Sequence, residues 1–306
     1  MIRMNDFKSE PSELKDSMLQ AVKRVFDSGW YVLGPELEAF EQAWADRCGV
    51  KFGVGVGNGM DAIELSLRAA GIGPGDEVIT TSMSAFATVL AILRTGATPV
   101  LADIDSDTGL LSLDSSGRCL SGKSKAVLLV HLFGQIRNMT GWIDFCKNHD
   151  LLLFEDCAQA HLAQFGSGYA GSFGKAGAYS FYPTKNLGAI GDAGMIVTND
   201  ENLAALAKQL RNYGQSERYV HPLAGMNSRL DEIQAAILSS RLNWLERFTA
   251  RRREIALLYN QNIRNSKITL FNSGDPNSHS YHLYVVRCES RDALKEYLLS
   301  NSIETN

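Results

Sequence analysis

Residues 178–188 read AYSFYPTKNLG, an apolar run that passes directly into a turn containing proline, lysine and glycine. A short apolar run followed by turn residues predicts a buried β-strand. Similar runs occur at residues 52–56, 77–81, 99–102, 126–130, 151–154 and 195–198. Helical patterns separate most of them, as at residues 61–70, 86–94 and 139–148. This alternation predicts an α/β domain with a mainly parallel sheet that is buried on both faces.

A longer helical pattern starts at Ser228 and carries the chain out of this sheet domain. We therefore predict that residues 1–240 form a large domain, which includes an N-terminal helical segment. Residues 241–306 are expected to begin a smaller C-terminal α+β domain. Its one apolar strand at residues 282–286 and one helix at residues 291–300 are too few to close a layer, so the domain is expected to be incomplete.

The composition argues against several classes of protein. Hydrophobic residues make up 45% and charged residues 21% of the 306 residues, as in ordinary globular proteins. There is no run long enough to span a membrane and the N-terminus is polar, so we expect a cytoplasmic protein without a membrane partner. The net charge of -4 argues against nucleic-acid binding. The five cysteines form no Cys-x-x-Cys pair, so we expect reduced structural thiols and no metal site.

Three unusual turns follow apolar runs, at the positions where open α/β sheets bind ligands. The first, Gly57-Asn58-Gly59-Met60-Asp61, leads directly into a helical pattern. Free backbone N–H groups at a helix N-terminus, aided by the helix dipole, suit a phosphate. An ordinary strand-to-helix turn explains these glycines at least as well, so the residues alone leave both interpretations open.

The second turn places Glu155 and Asp156 after the apolar run LLLF. Burying a carboxylate is costly unless it meets a cation. The pyridinium nitrogen of pyridoxal phosphate (PLP) is such a cation, and an aspartate partner would keep that nitrogen protonated so that the ring can withdraw electrons. A helix N-cap explains the acid equally well at this point.

The third turn carries Lys185, which follows the apolar run 178–181 in glycine-rich surroundings. Its ammonium group would be partly desolvated there, and desolvation lowers the pKa of an amine, as a lysine that forms a Schiff base requires. A lone lysine is usually a surface residue. Beside an anion-binding turn and a buried acid, with Ser180 five residues before it, Lys185 is better interpreted as part of a cofactor site.

Six segments together resemble the DegT/StrS-type sugar aminotransferases: GNGMDAIELSLRAAGIGPGDEVIT, VHLFGQ, EDCAQAH, GSFGKAGAYSFYPTKNLGAIGDAG, RNYG and GMNSRLDEIQAAIL. Their order and spacing agree with the family from about residue 28 to residue 306. The resemblance implies PLP fold type I, in which a mainly parallel seven-stranded sheet lies between helices. Family members continue past the position of residue 306 with a His-Tyr-Pro segment, a helix and a strand, so the small domain is expected to be truncated.

The resemblance also implies roles for individual residues. Lys185 matches the lysine that forms the Schiff base with PLP, and Asp156 matches the acid that pairs with the ring nitrogen. Gln159 matches a residue that hydrogen-bonds the PLP hydroxyl. The implied reaction moves an amino group from glutamate through PLP to a nucleotide-linked keto sugar, with Lys185 shuttling the proton.

A phosphate cradle and a shared active site are implied as well. The cradle consists of one hydroxyl and two backbone N–H groups, from Ser180, Gly59 and Met60. Asn227 matches a residue that reaches the phosphate from the neighbouring subunit, since family members are homodimers with composite sites. Without the resemblance, a simpler interpretation is that Asn227 or Ser228 caps a helix that begins at Arg229.

The sequence departs from the family at two places. In the segment SAFAT, residues 84–88, Ala85 stands where an aromatic residue normally stacks on the PLP ring. Phe86 comes one residue later, which on a helix turns a side chain by about 100°. Either the backbone is shifted and Phe86 contacts the cofactor, or ring stacking is weakened. Leu162 stands where close relatives have glycine.

Substrate contacts are predicted for five residues: Tyr31, His161, Tyr182, Tyr219 and Arg229. The segments VHLFGQ, AQAH and GMNSRLDEIQAA are most similar to enzymes that aminate C3 of dTDP-linked 3-keto-6-deoxyhexoses. Amination at C4 and a non-catalytic regulatory relative remain alternatives. Dehydratases of the same fold carry histidine at the position of Lys185, which argues against that chemistry. A nicotinamide enzyme is disfavoured because the glycine turn lacks Gly-x-Gly-x-x-Gly.

Overall fold

The computed structural model describes residues 1–272 and 274–306. The strands of the described part are β1 (Phe52–Val56), β2 (Glu77–Thr81), β3 (Thr98–Ala102), β4 (Ser124–Val130), β5 (Leu152–Asp156), β6 (Gln164–Phe165), β7 (Gly168–Tyr169), β8 (Ala176–Ser180), β9 (Gly194–Thr198), β10 (Thr269–Leu270) and β11 (Val286–Arg287). Its α-helices are α1 (Ser12–Ser28), α2 (Pro35–Cys48), α3 (Gly59–Ala69), α4 (Phe86–Arg94), α5 (Leu113–Arg118), α6 (Met139–Asn148), α7 (Glu201–Leu210), α8 (Glu232–Asn262) and α9 (Arg291–Ser300). None of these helices is long and apolar enough to cross a membrane.

Seven strands form one sheet in the order β1-β9-β8-β5-β4-β2-β3. Strand β9 runs antiparallel to both of its neighbours, β1 and β8. The other neighbouring pairs are parallel. The predicted mainly parallel, seven-stranded sheet of an α/β fold is therefore confirmed.

Apolar side chains cover both faces of this sheet. One core cluster includes residues of α3, α4 and α7, and the other includes residues of α2, α6 and α8. Successive side chains of a strand point to opposite faces, so β4 gives Val127 and Leu129 to one cluster and Ala126 and Leu128 to the other. Burial on both faces explains why the strands read as continuous apolar runs.

Helix α8 begins later than the sequence pattern predicts. Its first residue is Glu232 and its N-cap is Asp231, so the predicted starts at Ser228 and Arg229 are wrong. Ser228 is buried; its hydroxyl accepts from the N–H of Gly57 (2.9 Å) and donates to Asp61 Oδ2 (2.7 Å). Because these polar groups bind other segments, residues 227–231 do not join the helix, and the predicted cap by Asn227 or Ser228 is wrong.

The C-terminal part holds a two-stranded sheet of β10 and β11 together with α9. The helix predicted at residues 291–300 is confirmed, whereas the strand predicted at 282–286 is observed only as Val286–Arg287. Arg252 of α8 explains the difference, because its Nη1 binds the carbonyl oxygens of Tyr281 (3.0 Å) and His282 (3.2 Å). The predicted domain boundary after residue 240 lies inside α8 and stays a prediction.

Candidate active site

Asp156 is the last residue of β5 and is only 6% exposed. Its Oδ2 accepts a hydrogen bond from Thr88 Oγ1 (2.8 Å), and its Oδ1 accepts one from the backbone N–H of Ala158 (3.1 Å). Thr88, in α4, also shares a hydrogen bond with Ser84 Oγ (2.7 Å). Residues 157–165 are all described and contain no helix. The explanation of Asp156 as a helix cap is therefore wrong.

Lys185 lies in the loop of residues 181–193 between β8 and β9. The loop is closed by hydrogen bonds from Phe181 N–H to the Ala193 carbonyl (2.8 Å) and from Ala189 N–H to the Phe181 carbonyl (2.7 Å). The Lys185 side chain is half-buried, and its Nζ has no hydrogen-bond partner within residues 1–272 and 274–306. Burial lowers the pKa of this amine, while the charge of Asp156 opposes the shift. The predicted desolvation of Lys185 is thus observed, and its amine is free to react.

The N-terminus of α3 lies against the end of β8. A Cβ added to Gly59 would lie 2.6 Å from the Cβ of Ser180, a distance that real side chains do not reach. A Cβ added to Gly194 would lie 2.3 Å from the backbone of Asn58. The glycines therefore let the helix end approach Ser180 directly.

Capping leaves part of this helix end available to an anion. Asn58 is the N-cap, and its Oδ1 accepts from the N–H of Asp61 (2.9 Å). The N–H groups of Gly59 and Met60 precede the first intrahelical hydrogen bond, since the first turn of a helix has no internal acceptor for them. With the Ser180 hydroxyl beside them, they form an anion-binding end, which favours the phosphate interpretation of this turn over a plain strand-to-helix connection.

Gln159 is held in one orientation by the segment that follows β4. Its Oε1 accepts from the N–H of Phe133 (2.6 Å), and its own carbonyl accepts from the hydroxyl of Ser280 (3.2 Å). Phe133 has a positive φ of 63°, an uncommon conformation for this residue type. With its oxygen occupied, the Gln159 amide can still offer its N–H groups to an acceptor such as a phenolic oxygen.

Several predicted residues lie on the surface of the chain: Tyr31, Phe86, Tyr182, Tyr219 and Asn227. Phe86 is the first residue of α4 and is 70% exposed, while Ala85 is the N-cap of that helix. The side chain of Phe86 is thus accessible but is not packed into the site. Its contact with a cofactor, like the substrate contacts of the tyrosines, stays a prediction.

Arg229 and Asn227 both contact the turn that follows α7. Arg229 Nη1 donates to Asn212 Oδ1 (3.2 Å), and its guanidinium lies 5.5 Å from the centre of the Tyr213 ring. Asn227 pairs with Asn212 in an isolated antiparallel bridge. The Arg229 side chain is therefore already engaged in holding this turn, and its predicted substrate contact would have to be made in addition.

His161 occupies a different place from the other predicted substrate residues. It is completely buried, and its ring centre lies 5.6 Å from that of Trp44, 5.3 Å from that of Tyr179 and 5.7 Å from that of Phe181. A substrate cannot touch a ring enclosed in this way. The arrangement corrects the predicted contact: His161 can affect the site only through its neighbours.

Glu155 precedes Asp156 and points to the other face of the sheet. Its two oxygens accept from the backbone N–H groups of Gly171, Phe173 and Gly174, each at 2.8 Å, and Oε2 also lies 2.8 Å from His131 Nε2. One potential metal-ligand atom from each of His131, Glu155 and Cys157 lies within 4.8 Å of the other two. Since both carboxylate oxygens are already occupied by N–H groups, the cluster is organised for structure rather than for metal binding.

Comparison with known proteins identifies the class to which this fold and site belong. Residues 12–306 match the DegT/DnrJ/EryC1/StrS aminotransferase family. The chain belongs to this family, whose members are PLP-dependent sugar aminotransferases, and it is an enzyme of that class.

Three similar proteins illustrate the relationship. A dTDP-3-amino-3,6-dideoxy-alpha-D-galactopyranose transaminase of Aneurinibacillus thermoaerophilus is 44% identical over all of this chain and 84% of its own length. A pleiotropic regulatory protein of Geobacillus stearothermophilus is 40% identical over 99% of this chain and 82% of its own. The crystal structure of DesV from S. venezuelae has a TM-score of 0.96 and 41% identity, covering 99% of this chain and 82% of DesV.

The residues described here fit PLP group by group. A carboxylate suits the pyridine nitrogen, an amide N–H suits the ring hydroxyl, and the free N–H groups of Gly59 and Met60 beside a hydroxyl suit the phosphate. Lys185 provides an unpartnered amine with a lowered pKa for the aldehyde. A Cβ at Gly59 would fill the contact between the helix end and Ser180, so the proposed phosphate cradle requires glycine at this position.

Proposed function

We propose that this enzyme transfers an amino group from glutamate to a nucleotide-linked keto sugar, at C3 of a dTDP-3-keto-6-deoxyhexose. The observation that carries the proposal is the convergence of an unpartnered, partly desolvated Lys185 with the buried Asp156 and the open end of α3. The name of one similar protein supports the sugar class, because it is a dTDP-3-amino-3,6-dideoxy-alpha-D-galactopyranose transaminase that is 44% identical to this chain.

Four residues of the chain have defined tasks in the proposed reaction: Asp156, Thr88, Gln159 and Lys185. PLP, when bound, supplies an electron sink that stabilises negative charge on the carbon next to the reacting nitrogen. Asp156 would keep the ring nitrogen protonated, and Thr88 holds the Asp156 carboxylate in place. Gln159 would donate to the ring hydroxyl. Lys185 Nζ would hold the cofactor and would take and return the proton of the substrate carbon, for which a lowered pKa is suited.

Attachment of the cofactor can be mapped on the protein. After reconstitution with PLP and reduction with borohydride, we expect the pyridoxyl label on the peptide containing Lys185. Lys185→Ala should abolish labelling, because the amine that interacts with the buried Asp156 is gone. Lys147→Ala, at an exposed lysine of α6, is the matched control and should label fully. A label on another lysine would disprove the assignment.

The position of amination can be tested with two acceptors. The enzyme, glutamate and PLP should convert a dTDP-linked 3-keto-6-deoxyhexose to an aminosugar whose nitrogen is assigned to C3 by NMR. A dTDP-linked 4-keto-6-deoxyhexose should react at least tenfold more slowly in kcat/KM. A preference for the 4-keto sugar would replace C3 by C4 and leave the aminotransferase assignment intact.

We further propose a homodimer with shared active sites, in which Asn227 completes the phosphate cradle of the partner. Asn227 is exposed, and the bridge to Asn212 holds it at a fixed place. Mixing inactive Lys185→Ala subunits with inactive Asn227→Asp subunits should restore part of the activity, because each mixed dimer holds one intact site. An Asn227→Asp protein with full activity alone, or mixed dimers without activity, would contradict the shared site.

The second candidate, a regulatory role without turnover, stands against the family match, but it is favoured by Ala85 at the stacking position and by the similar pleiotropic regulatory protein. An absorbance spectrum of the PLP-reconstituted protein, recorded with and without glutamate, separates the two. An aminotransferase should change its cofactor spectrum when glutamate is added. A protein that binds PLP but shows no spectral response would favour the regulatory role.

A further inference from the structure

Buried polar atoms without partners are concentrated near Lys185. Seven buried side-chain nitrogen or oxygen atoms of the described residues make no hydrogen bond, and four of them belong to His161 (Nδ1 and Nε2), Asn186 (Oδ1) and His282 (Nδ1). An unsatisfied buried polar atom costs about 1–3 kcal/mol, and native proteins rarely leave one without protein or water. Four such atoms in one place therefore indicate something else that bonds to them.

Three chain segments bring these atoms together. Asn186 Nδ2 donates to the carbonyl of Ser280 (2.9 Å), and the Ser280 hydroxyl donates to the carbonyl of Gln159 (3.2 Å). His161 follows Gln159 by two residues, and His282 follows Ser280 by two. The segment after β5, the lysine loop and the segment before β11 thus meet at one point.

Lys185 faces the same point. Its positive charge contributes to lowering the pKa of both His161 and His282, so all three groups are near one another. Burial is the larger cause in both cases, and it keeps both imidazoles neutral at neutral pH. The carbonyl of Ser180 lies near the His161 ring and opposes the shift, but no described residue makes a well-formed hydrogen bond with either ring nitrogen.

Aromatic side chains around His161 limit the size of a molecule that could reach its ring. The rings of Trp44, Tyr179 and Phe181 surround its imidazole, and Tyr179 uses its hydroxyl to donate to the Ala170 carbonyl. A neutral imidazole has one donor and one acceptor, and the Asn186 oxygen is an acceptor. Small molecules that both donate and accept hydrogen bonds can satisfy these atoms, and water is the smallest of them.

We propose that His161, Asn186 and His282 hold a cluster of buried water molecules behind Lys185, and that His161 is a positioning residue for this lysine through that water. The cluster would hydrate the side of the amine that faces away from Asp156. The inference deepens the proposed function, since it concerns the lysine to which the cofactor is assigned, but the water site can be measured on the cofactor-free chain.

The expected direction of the effect follows from the groups that face Lys185. Asp156 favours the charged amine, whereas a protonated His161 or His282 would disfavour it, and Arg252 adds a further positive charge near both histidines. Water accepting from the ammonium favours the charged form and offsets part of the desolvation. Removing the water should therefore lower the pKa of Lys185 further.

His161→Phe tests this on the cofactor-free chain, because phenylalanine suits the aromatic enclosure but cannot hold water. The rate of trinitrophenylation at Lys185, followed by mass spectrometry across pH, gives the pKa of its amine. We expect a decrease of about one unit, a tenfold change in the neutral fraction. His161→Asn should restore most of the value, since it keeps a donor and an acceptor. His149→Phe, at an exposed histidine, should change nothing.

A high-resolution crystal structure of the unsubstituted chain gives an independent reading that does not depend on the variant folding. We expect ordered water within hydrogen-bond distance of His161, Asn186 and His282. A dry cavity, or an unchanged Lys185 titration in folded His161→Phe, would overturn the inference. Failure of borohydride labelling at Lys185 would remove the proposed function but would leave the water cluster standing.

Discussion

Glu155 and Asp156 are neighbours at the end of β5, both are buried acids, and they do opposite things. Glu155 is surrounded by three backbone N–H groups and His131, and these contacts hold residues 171–174 against the sheet. Within the described part of the chain, the Asp156 carboxylate accepts only from Thr88 and one backbone N–H, so it retains acceptor capacity towards the site. Two acids that look alike in the sequence are distinguished by how completely their oxygens are occupied.

Asp156→Asn should give the largest change in rate. The amide cannot keep a ring nitrogen protonated, so we expect single-turnover amino transfer from glutamate to slow by about 10²–10⁴-fold, the usual range for a group that controls a proton. Stopped-flow absorbance measures this rate. The free energy of unfolding in urea should change by less than about 1 kcal/mol, because only two hydrogen bonds are altered. Near-normal rates would show that Asp156 is structural.

Glu155→Gln should have the reverse profile. The amide nitrogen that replaces one carboxylate oxygen cannot accept, so at least one of the four hydrogen bonds at this fully buried position is lost and the others lose their charge. We therefore expect the free energy of unfolding to fall by about 3 kcal/mol. The rate per folded molecule should stay within about threefold of the unsubstituted enzyme. A catalytic loss without a loss of stability would break the contrast between the two acids.

Thr88→Val sharpens the contrast by removing one of the two contacts that hold Asp156. The side chain keeps its shape but loses the hydroxyl, so we expect about a tenfold decrease in the rate of amino transfer. Ser84→Ala removes only the outer hydrogen bond to Thr88 and should cost less than about threefold. Equal effects of the two substitutions would mean that the Thr88 hydroxyl does not act through Asp156.

Leu162, just beyond the two acids, should show the smallest effect. It is buried with a positive φ of 61°, which costs an L-residue about 1 kcal/mol and costs glycine little. Both Leu162→Gly and Leu162→Ala lose the buried side chain and should be destabilised. The glycine variant should be the more stable of the two by about 1 kcal/mol, as measured by urea unfolding. The opposite order would show that the backbone relaxes at this position.

Structural features that depend on residues close together in the sequence are the ones that the sequence predicts best. Six strands of the large sheet are visible because they are buried on both faces, and Lys185 is visible because a charge closes an apolar run. The start of α8 was misplaced because Ser228 makes its hydrogen bonds with Gly57 and Asp61, far away in the chain. Thr88 was missed as a site residue for the same reason, since its partner is 68 residues away. Tertiary partners of this kind leave no local pattern.

The reversed direction of β9 has a consequence for the engineering of the lysine loop. Because β8 and β9 run in opposite directions, residues 181–193 connect the adjacent ends of two paired strands. Both ends of the loop are therefore fixed to the sheet. The entropy of closing a loop rises slowly, by about 0.6 kcal/mol for each doubling of its length. Inserted residues would therefore scarcely alter the folding free energy while moving the amine out of reach, so thermal stability would be a poor guide to which loop lengths keep a working enzyme.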